Sequence, residues 1–278
     1  MKDTEIEAKL AIRTPDPEGT MRALEALREI GGFGLRPLPT RRIRDAYLQL
    51  PDAHIHEGPH GPLALRRRTV SEEHGDGDRD SDGNGGGHGH GDAREPRSLL
   101  TLKGAPKPEP GSGDAKGVTR RLEIEVPDDE AGWHRVERAL RSAGIPVNGS
   151  IDDLMPLQVR ETRRVRRSVE PLEGGGAAVA EVTLDTVQLD VLGHRVRFRE
   201  VEVEALPGVT DPVRVVTRLQ EALREALDTG VLVPWRLSKL ETGLELERLA
   251  AEGELADLVS GEGELLPAGH DRIYGIHT

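Results

Sequence analysis

Glu5, Glu7 and Lys9 stand at alternate positions in the opening stretch EIEAKL, separated by Ile6 and Ala8 and followed by Leu10. Alternation is the period of a β-strand, so the charged side chains share one face and the apolar ones the other. The pattern recurs. Arg66 and Arg68 flank Arg67, Thr101 and Lys103 flank Leu102, and Arg121, Glu123 and Glu125 alternate with Leu122, Ile124 and Val126. Arg160, Thr162 and Arg164 follow, then Glu181, Thr183 and Asp185, then Glu200, Glu202 and Glu204 around Val201 and Val203. One such strand reads as half-buried with its charges in water. Seven point to charges gathered on a common inner face. Two arginines about 5 Å apart repel by roughly 3 kcal/mol at an effective dielectric of about 20, so Arg66, Arg68, Lys103, Arg160, Arg164 and Lys239 call for anions. A polyanion carrying a divalent metal satisfies both sets, with phosphate oxygens on the basic groups and the cation on the carboxylates. Internal salt bridges are the competing reading. An interior left cationic would be strained by self-repulsion, and removing Lys9 or Arg68 would then relieve it.

The elements that present these residues follow from periodicity and turn signals. A helix is expected over 16–30, with Met21, Leu24, Leu27 and Ile30 on one face and Gly31-Gly32 as its stop. Pro37 and Pro39 mark a loop, and strands are expected over 43–50, 63–70, 98–103, 118–126, 159–169, 179–189 and 196–206. Asp128 is the expected cap of a helix through Ala143, with Trp133 in its core face, and Asp211-Pro212 opens a helix reaching Thr229. A weaker helical stretch reaches about Val259, and residues 260–278 carry no readable signal. The segment 71–96 is Gly, Asp and His with almost nothing apolar, and reads as a disordered hairpin loop. His88 and His90 within it are better read as part of a solvated linker than as a metal site, and Gly174-Gly175-Gly176 reads as a hairpin turn. The expected fold is α+β: an eight-stranded antiparallel closed β-barrel, charged inside, with helices packed on its apolar outer face. Residues 1–245 form this domain and 246–278 a helical or disordered tail.

The net charge of −12 disfavours binding to nucleic acid or membrane through the overall field, and 2% aromatic residues leave little for base stacking. There is no cysteine, so disulfides, thiolate ligands and a cysteine nucleophile are excluded, and no serine lies in a G-x-S-x-G turn. No apolar run approaches membrane-spanning length, and Met1-Lys2-Asp3 leads straight into a strand. A soluble cytoplasmic protein is expected.

The motifs resemble one family. Glu5-x-Glu7-x-Lys9 is similar to the ExExK signature of the CYTH, or triphosphate tunnel metalloenzyme, family. Asp45-Ala46-Tyr47, Leu65-Arg66-Arg67-Arg68, Leu100-Thr101-Leu102-Lys103-Gly104, Arg121-Leu122-Glu123-Ile124-Glu125, Leu184-Asp185, Glu200 to Glu204 and Ser238-Lys239 follow in family order. The sequence departs at Tyr47-Leu48-Gln49-Leu50, where the family often reads Tyr-Tyr-Asp-Thr. The resemblance implies that Glu5, Glu7, Glu202 and Glu204, completed by Asp185, hold Mg²⁺ or Mn²⁺. It implies that Lys9, Arg66, Arg68, Lys103, Arg121, Arg160, Arg164 and Lys239 grip phosphate oxygens, and that Glu123 and Glu125 help place a second metal or the attacking water, with Lys9 neutralising charge. Hydrolysis of a triphosphate, inorganic triphosphate first, is the leading expectation. A class IV adenylate cyclase, a non-catalytic polyphosphate or nucleotide-binding module, and a scaffold with internally paired charge remain as alternatives. The expected partner is a small triphosphate or polyphosphate, and no helical CHAD domain is expected in this chain.

Overall fold

The computed structural model describes residues 4–49, 63–73, 95–104, 107–108, 118–145, 149–173, 176–227 and 230–276. Most of the 71–96 loop with His88 and His90, and Gly174 and Gly175 of the expected turn, lie outside the described residues.

The strands are β1 (Glu5–Ile12), β2 (Glu29–Ile30), β3 (Phe33–Gln49), β4 (Ala64–Glu72), β5 (Arg97–Lys103), β6 (Lys107–Pro108), β7 (Val118–Arg121), β8 (Glu123–Pro127), β9 (Met155–Pro171), β10 (Ala180–Val191), β11 (His194–Ala205) and β12 (Leu232–Pro234). Five α-helices accompany them among the described residues: α1 (Pro17–Ala26), α2 (Glu130–Ser142), α3 (Pro212–Glu225), α4 (Lys239–Ala251) and α5 (Pro267–Ile276). The named strands form one sheet in the order β6-β7-β1-β11-β10-β9-β3-β4-β5-β8, with β12 beside β1 and β2 beside β3. It curls into a half-barrel with α1, α2 and α3 on its outer face and α4 against its inner face, an α+β fold and a departure from the expectation of helices on the outer face alone.

It is not the closed eight-stranded barrel expected from the charged alternation. The stretch expected as one strand over 118–126 splits in two. β7 pairs with β1, from Glu5↔Arg121 to Ala8↔Val118, whereas β8 pairs with β5, from Lys103↔Glu123 to Leu99↔Pro127. Leu122 between them joins neither ladder, and its carbonyl accepts the Gly104 N–H at 3.0 Å. The two ends of the sheet are therefore linked by the chain itself and not by a continuous ladder.

Two apolar clusters cover the outer face, and a third packs on the inner face beside the charges, where β10 and β11 turn from charged to apolar residues of the same parity. Met21 and Leu24 of α1 and Val216, Leu219 and Leu223 of α3 pack on Ile6, Ala8 and Leu10 of β1 and on Val201 and Val203 of β11. Trp133, Val136 and Leu140 of α2 cover Leu65, Leu100, Leu102 and Val126, so Trp133 is a core residue. Leu246 and Leu249 of α4, Ile273 of α5 and Trp235 cover Val187, Leu189, Val196 and Phe198. Burial of each such leucine contributes about 2 kcal/mol. All eight residues of β1 are buried, which a strand with a solvated charged face would not show.

Several boundaries differ from the sequence expectation, each for a local reason. α1 stops at Ala26, because Gly31 and Gly32, at φ +53° and +85°, make a hairpin turn that pairs Ile30 with Phe33. Asp129, not Asp128, caps α2 by accepting the Gly132 N–H at 2.7 Å, while Asp128 takes the Ser98 hydroxyl at 2.8 Å. Pro37 and Pro39, expected in a loop, belong to β3; the β4 ladder begins only at Arg41 and the β9 register shifts between Leu38 and Arg41, so their absent N–H groups are tolerated. Asp211 and Pro212 do open α3, with the Asp211 carboxylate accepting the Arg214 N–H at 3.2 Å. The segment after residue 260 contains α5, opened by Pro267.

α5 carries a pH dependence. His270 is buried edge-on against Trp235, with ring centroids 5.7 Å apart, and burial lowers its imidazole to about 4. The folded state thus favours the neutral ring, while the unfolded chain binds a proton near about pH 6.5. The contribution is present in full above that value and is lost as pH falls toward about 4, amounting to roughly 3 kcal/mol across the window. Urea unfolding of wild type and His270→Leu between those limits is expected to show a smaller acid loss in the variant; parallel pH profiles would refute it.

Candidate functional site

A cavity of about 400 Å³ lies on the inner face of the sheet. Cross-strand register explains how distant residues meet there. Lys9 stands opposite Glu202, Glu7 opposite Glu204, Asp185 opposite Arg164, and Asp45 opposite both Arg68 and Arg160. Glu5, Lys9, Arg66, Arg68, Lys103, Arg121, Glu123, Glu125, Arg164, Glu202, Glu204 and Lys239, all expected from the sequence, line the cavity. Glu7, Arg160 and Asp185 are buried but do not line it.

The charges form three networks. In the first, Glu5 accepts from Lys103 at 3.0 Å and from Arg121 at 2.9 Å, Arg121 reaches Glu7 at 2.8 Å, and Lys103 reaches Glu123 at 3.0 Å. Burial alone would raise the Glu5 carboxyl, but the charges of Lys103 and Arg121 override it and hold Glu5 well below its ordinary value.

Glu202 is the hub of the second. It lies 3.1 Å from Lys9, 2.9 Å from Lys239 and 2.7 Å from Arg164, which also forks onto Asp185 at 2.8 and 2.6 Å. Lys239 further reaches Asp185 at 3.0 Å and is hydrogen-bonded to Glu200. Burial works against charge on Glu202, yet Lys239, Lys9 and Arg164 hold its pKa well down. Glu200 goes the other way, because burial outweighs Lys239 and Lys9 and raises it. The Lys239 ammonium is placed by its helix: it is the first residue of α4, and Ser238 and Glu241 form a capping box that fixes the turn.

The third network centres on Asp45, which takes Arg68 at 2.8 and 3.1 Å and Arg66 at 3.4 Å. Burial opposes the Asp45 charge, and Arg66 and Arg68 overcome it and lower its pKa. Tyr47 accepts from Arg66 at 3.2 Å, and Arg160 lies over its ring at 4.4 Å. Burial would raise the phenol; the charges of Arg160 and Arg66 instead bring it to about 8.

These pairs correct the expectation of a self-repelling interior. Lys9, Arg66, Arg68, Lys103, Arg121, Arg164 and Lys239 each have a carboxylate within 4 Å. Removing a cation here exposes buried carboxylates and does not relieve strain.

Of the expected metal ligands, Asp185 and Glu202 come together with Glu200, their oxygens within 4.8 Å of one another. Glu5 and Glu7 are held by Arg121 instead. Arg41, Tyr47, Arg166 and Glu181 also line the cavity, with Arg166 forked onto Glu181 at 2.8 and 2.6 Å. Arg41 shares strand parity with Asp45 and Tyr47, and Arg166 with Arg164, so extending the alternation through 37–41 would have found the first and one further step the second. Arg135 of α2 and Glu241 of α4 also reach the cavity, and no strand pattern marks helix residues. Trp235 is buried in the apolar cluster with α4 and α5 and donates to Thr242 at 3.1 Å.

No protein-family model matches the chain, and no curated protein matches it. Among solved structures it is similar to the PH1819 protein from Pyrococcus horikoshii OT3, at 19% identity and a TM-score of 0.45, over 88% of this chain and 98% of that one. It is also similar to the S. pombe Pct1 RNA triphosphatase in complex with the Spt5 CTD, at 13% identity and a TM-score of 0.33, over 81% of this chain and 84% of that one. No described helix is long and apolar enough to cross a membrane.

Proposed function

We propose that the cavity binds a linear triphosphate with Mg²⁺ or Mn²⁺ and hydrolyses its terminal anhydride bond, inorganic triphosphate being the substrate. The observation that carries this reading is the convergence of Lys9, Arg66, Arg68, Lys103, Arg121, Arg164 and Lys239 on one cavity of about 400 Å³, beside a cluster of buried carboxylates. That volume suits a small ligand. The carboxylates fit a hard divalent cation: all donors are oxygens, and Glu200 Oε2 is buried without a hydrogen-bond partner among the described residues.

Asp185, Glu200 and Glu202 would hold the cation, with Glu5, Glu7 and Glu204 as further carboxylates on the neighbouring strand β1 and along β11. When bound, the metal supplies Lewis-acid polarisation of phosphate oxygens and an acidified water. The basic groups exchange carboxylate partners for phosphate oxygens and neutralise charge as the terminal phosphorus is attacked. Glu123 and Glu125, which line the cavity, would orient that water. This reading requires no covalent nucleophile; the chain has no cysteine, and the Ser238 hydroxyl caps α4 by accepting the Glu241 N–H.

The pairing of the seven cations favours a second reading, a scaffold whose interior charge is already neutral. A phosphate-release screen separates the two, using triphosphate, long-chain polyphosphate, ATP and thiamine triphosphate with Mg²⁺ and Mn²⁺. Release is expected to be fastest from inorganic triphosphate, with orthophosphate as the product from ATP. Cyclic AMP from ATP would make the protein a cyclase, and no turnover or binding of any of the four would favour the scaffold.

A further inference from the structure

Arg160 is the exception among the basic residues named for the site. It is 1% exposed, has no carboxylate within 4 Å among the described residues, and its Nε and Nη1 lack hydrogen-bond partners. What holds it is Gln158, two residues back on the same face of β9, whose amide oxygen accepts from Arg160 Nη2. The other end of that amide donates to Glu247 of α4 at 2.7 Å, which fixes the orientation of the group. Gly243, one turn earlier on α4, lies directly against the amide, and a Cβ there would fall inside contact distance of it. Arg160 in turn lies over the Tyr47 ring at 4.4 Å, and the Tyr47 hydroxyl accepts from Arg66, which lines the cavity.

We propose that Gln158 is a positioning residue, holding Arg160 against Tyr47 so that Tyr47 fixes Arg66 at the cavity wall, with glycine at 243 making the room its amide needs. The chain of contacts runs from α4, which packs on the inner face of the sheet beside the cavity, through Gln158, Arg160 and Tyr47 to Arg66, and so ties the body of that helix to an anion-gripping group on the cavity wall. Arg160 acts through Tyr47 and does not touch the ligand. This inference rests on the reading of the cavity as a triphosphate site.

The Tyr47 phenol reports on the arrangement without any ligand. It faces Arg160 from β9, Arg66 and Arg68 from β4 and Asp45 from its own strand, while Glu247 of α4 reaches Gln158 and not the phenol. Burial raises the phenol and Arg160 is the largest influence lowering it, to about 8, so a guanidinium released from the ring lets it climb. The chain has two tyrosines, and the Tyr47→Phe variant identifies which step in a near-ultraviolet titration belongs to Tyr47. Gln158→Ala is expected to move that step upward and to weaken triphosphate binding, read by calorimetry with Mg²⁺, about tenfold. Gly243→Ala should do the same, and the double variant should be no worse than Gln158→Ala alone. Should Gly243→Ala not fold, Gln158→Ala carries the test by itself. A Tyr47 step unmoved in Gln158→Ala overturns the positioning role, whatever the binding. A step that moves while wild type binds no triphosphate with either metal supports the positioning of Tyr47 and refutes the triphosphate reading.

Discussion

Glu202→Gln is expected to cost the folded protein about 3–5 kcal/mol, a large part of the stability of an ordinary domain. The substitution keeps volume and removes one charge. That charge is shared by Lys9 at 3.1 Å, Lys239 at 2.9 Å and Arg164 at 2.7 Å, in a region where Glu200 is itself pushed toward its neutral form. Three buried cations would be left facing Asp185 and Glu200, whose charge burial disfavours. The depressed Glu202 pKa gives the sign with pH: its contribution is present above the usual carboxylate range and is lost as pH falls through its lowered folded value. The urea midpoint should therefore fall sharply at neutral pH, with added Mg²⁺ or Mn²⁺ giving no recovery because a ligand is gone. A midpoint within experimental error of wild type would mean that the network contributes nothing.

Lys239→Met should give a comparable loss with the opposite response to metal. Lys239 is 6% exposed and its ammonium touches Asp185, Glu200 and Glu202, the same three carboxylates that could hold a cation. Methionine fills most of the space and leaves those oxygens short of one positive charge. A divalent cation supplies it. At about a hundredfold excess over its dissociation constant, a ligand stabilises the folded state by about 2.7 kcal/mol, which for a chain of this size is a rise of roughly 5–10 °C in melting temperature. Wild type, with Lys239 in place, should shift less. Equal melting curves for the two proteins in the presence and absence of Mn²⁺ would show that the ammonium and the metal do not compete for these carboxylates.

The inner wall was legible because a strand with period two must put Glu5, Glu7 and Lys9 on one side, and because six more stretches repeated the device. Twelve of the expected site residues do meet in one cavity. Ion pairing was not legible, since it depends on register: Lys9 meets Glu202 only because β1 and β11 align at those two residues. The open sheet was hidden for a similar reason, as nothing in RRLEIEVP shows that its two halves pair with different neighbours. Pro37 and Pro39 concealed Arg41, because a proline in a strand is permitted only where one side is unpaired, and that is a property of the sheet. Arg160 carries a side-chain pattern indistinguishable from that of Arg164, yet one is stacked behind Tyr47 and the other lines the cavity.

The placement of β1 bears on how the chain acquires this shape. β1 begins at residue 5, but its partners β7, β11 and β12 begin at residues 118, 194 and 232. Synthesis proceeds from the N-terminus at a few residues per second or faster, so β1 has left the ribosome long before any strand exists for it to pair with. Contacts so distant in sequence also carry a large loop-closure cost and form slowly. During the wait, Glu5, Glu7 and Lys9 keep one face of the strand in water and discourage pairing with other chains. The ion pairs of Lys9 with Glu202 and of Glu5 with Arg121 form only when β1 docks. β1 is made before each of its partners, and its docking neutralises the charged interior in the same step that closes the outer core.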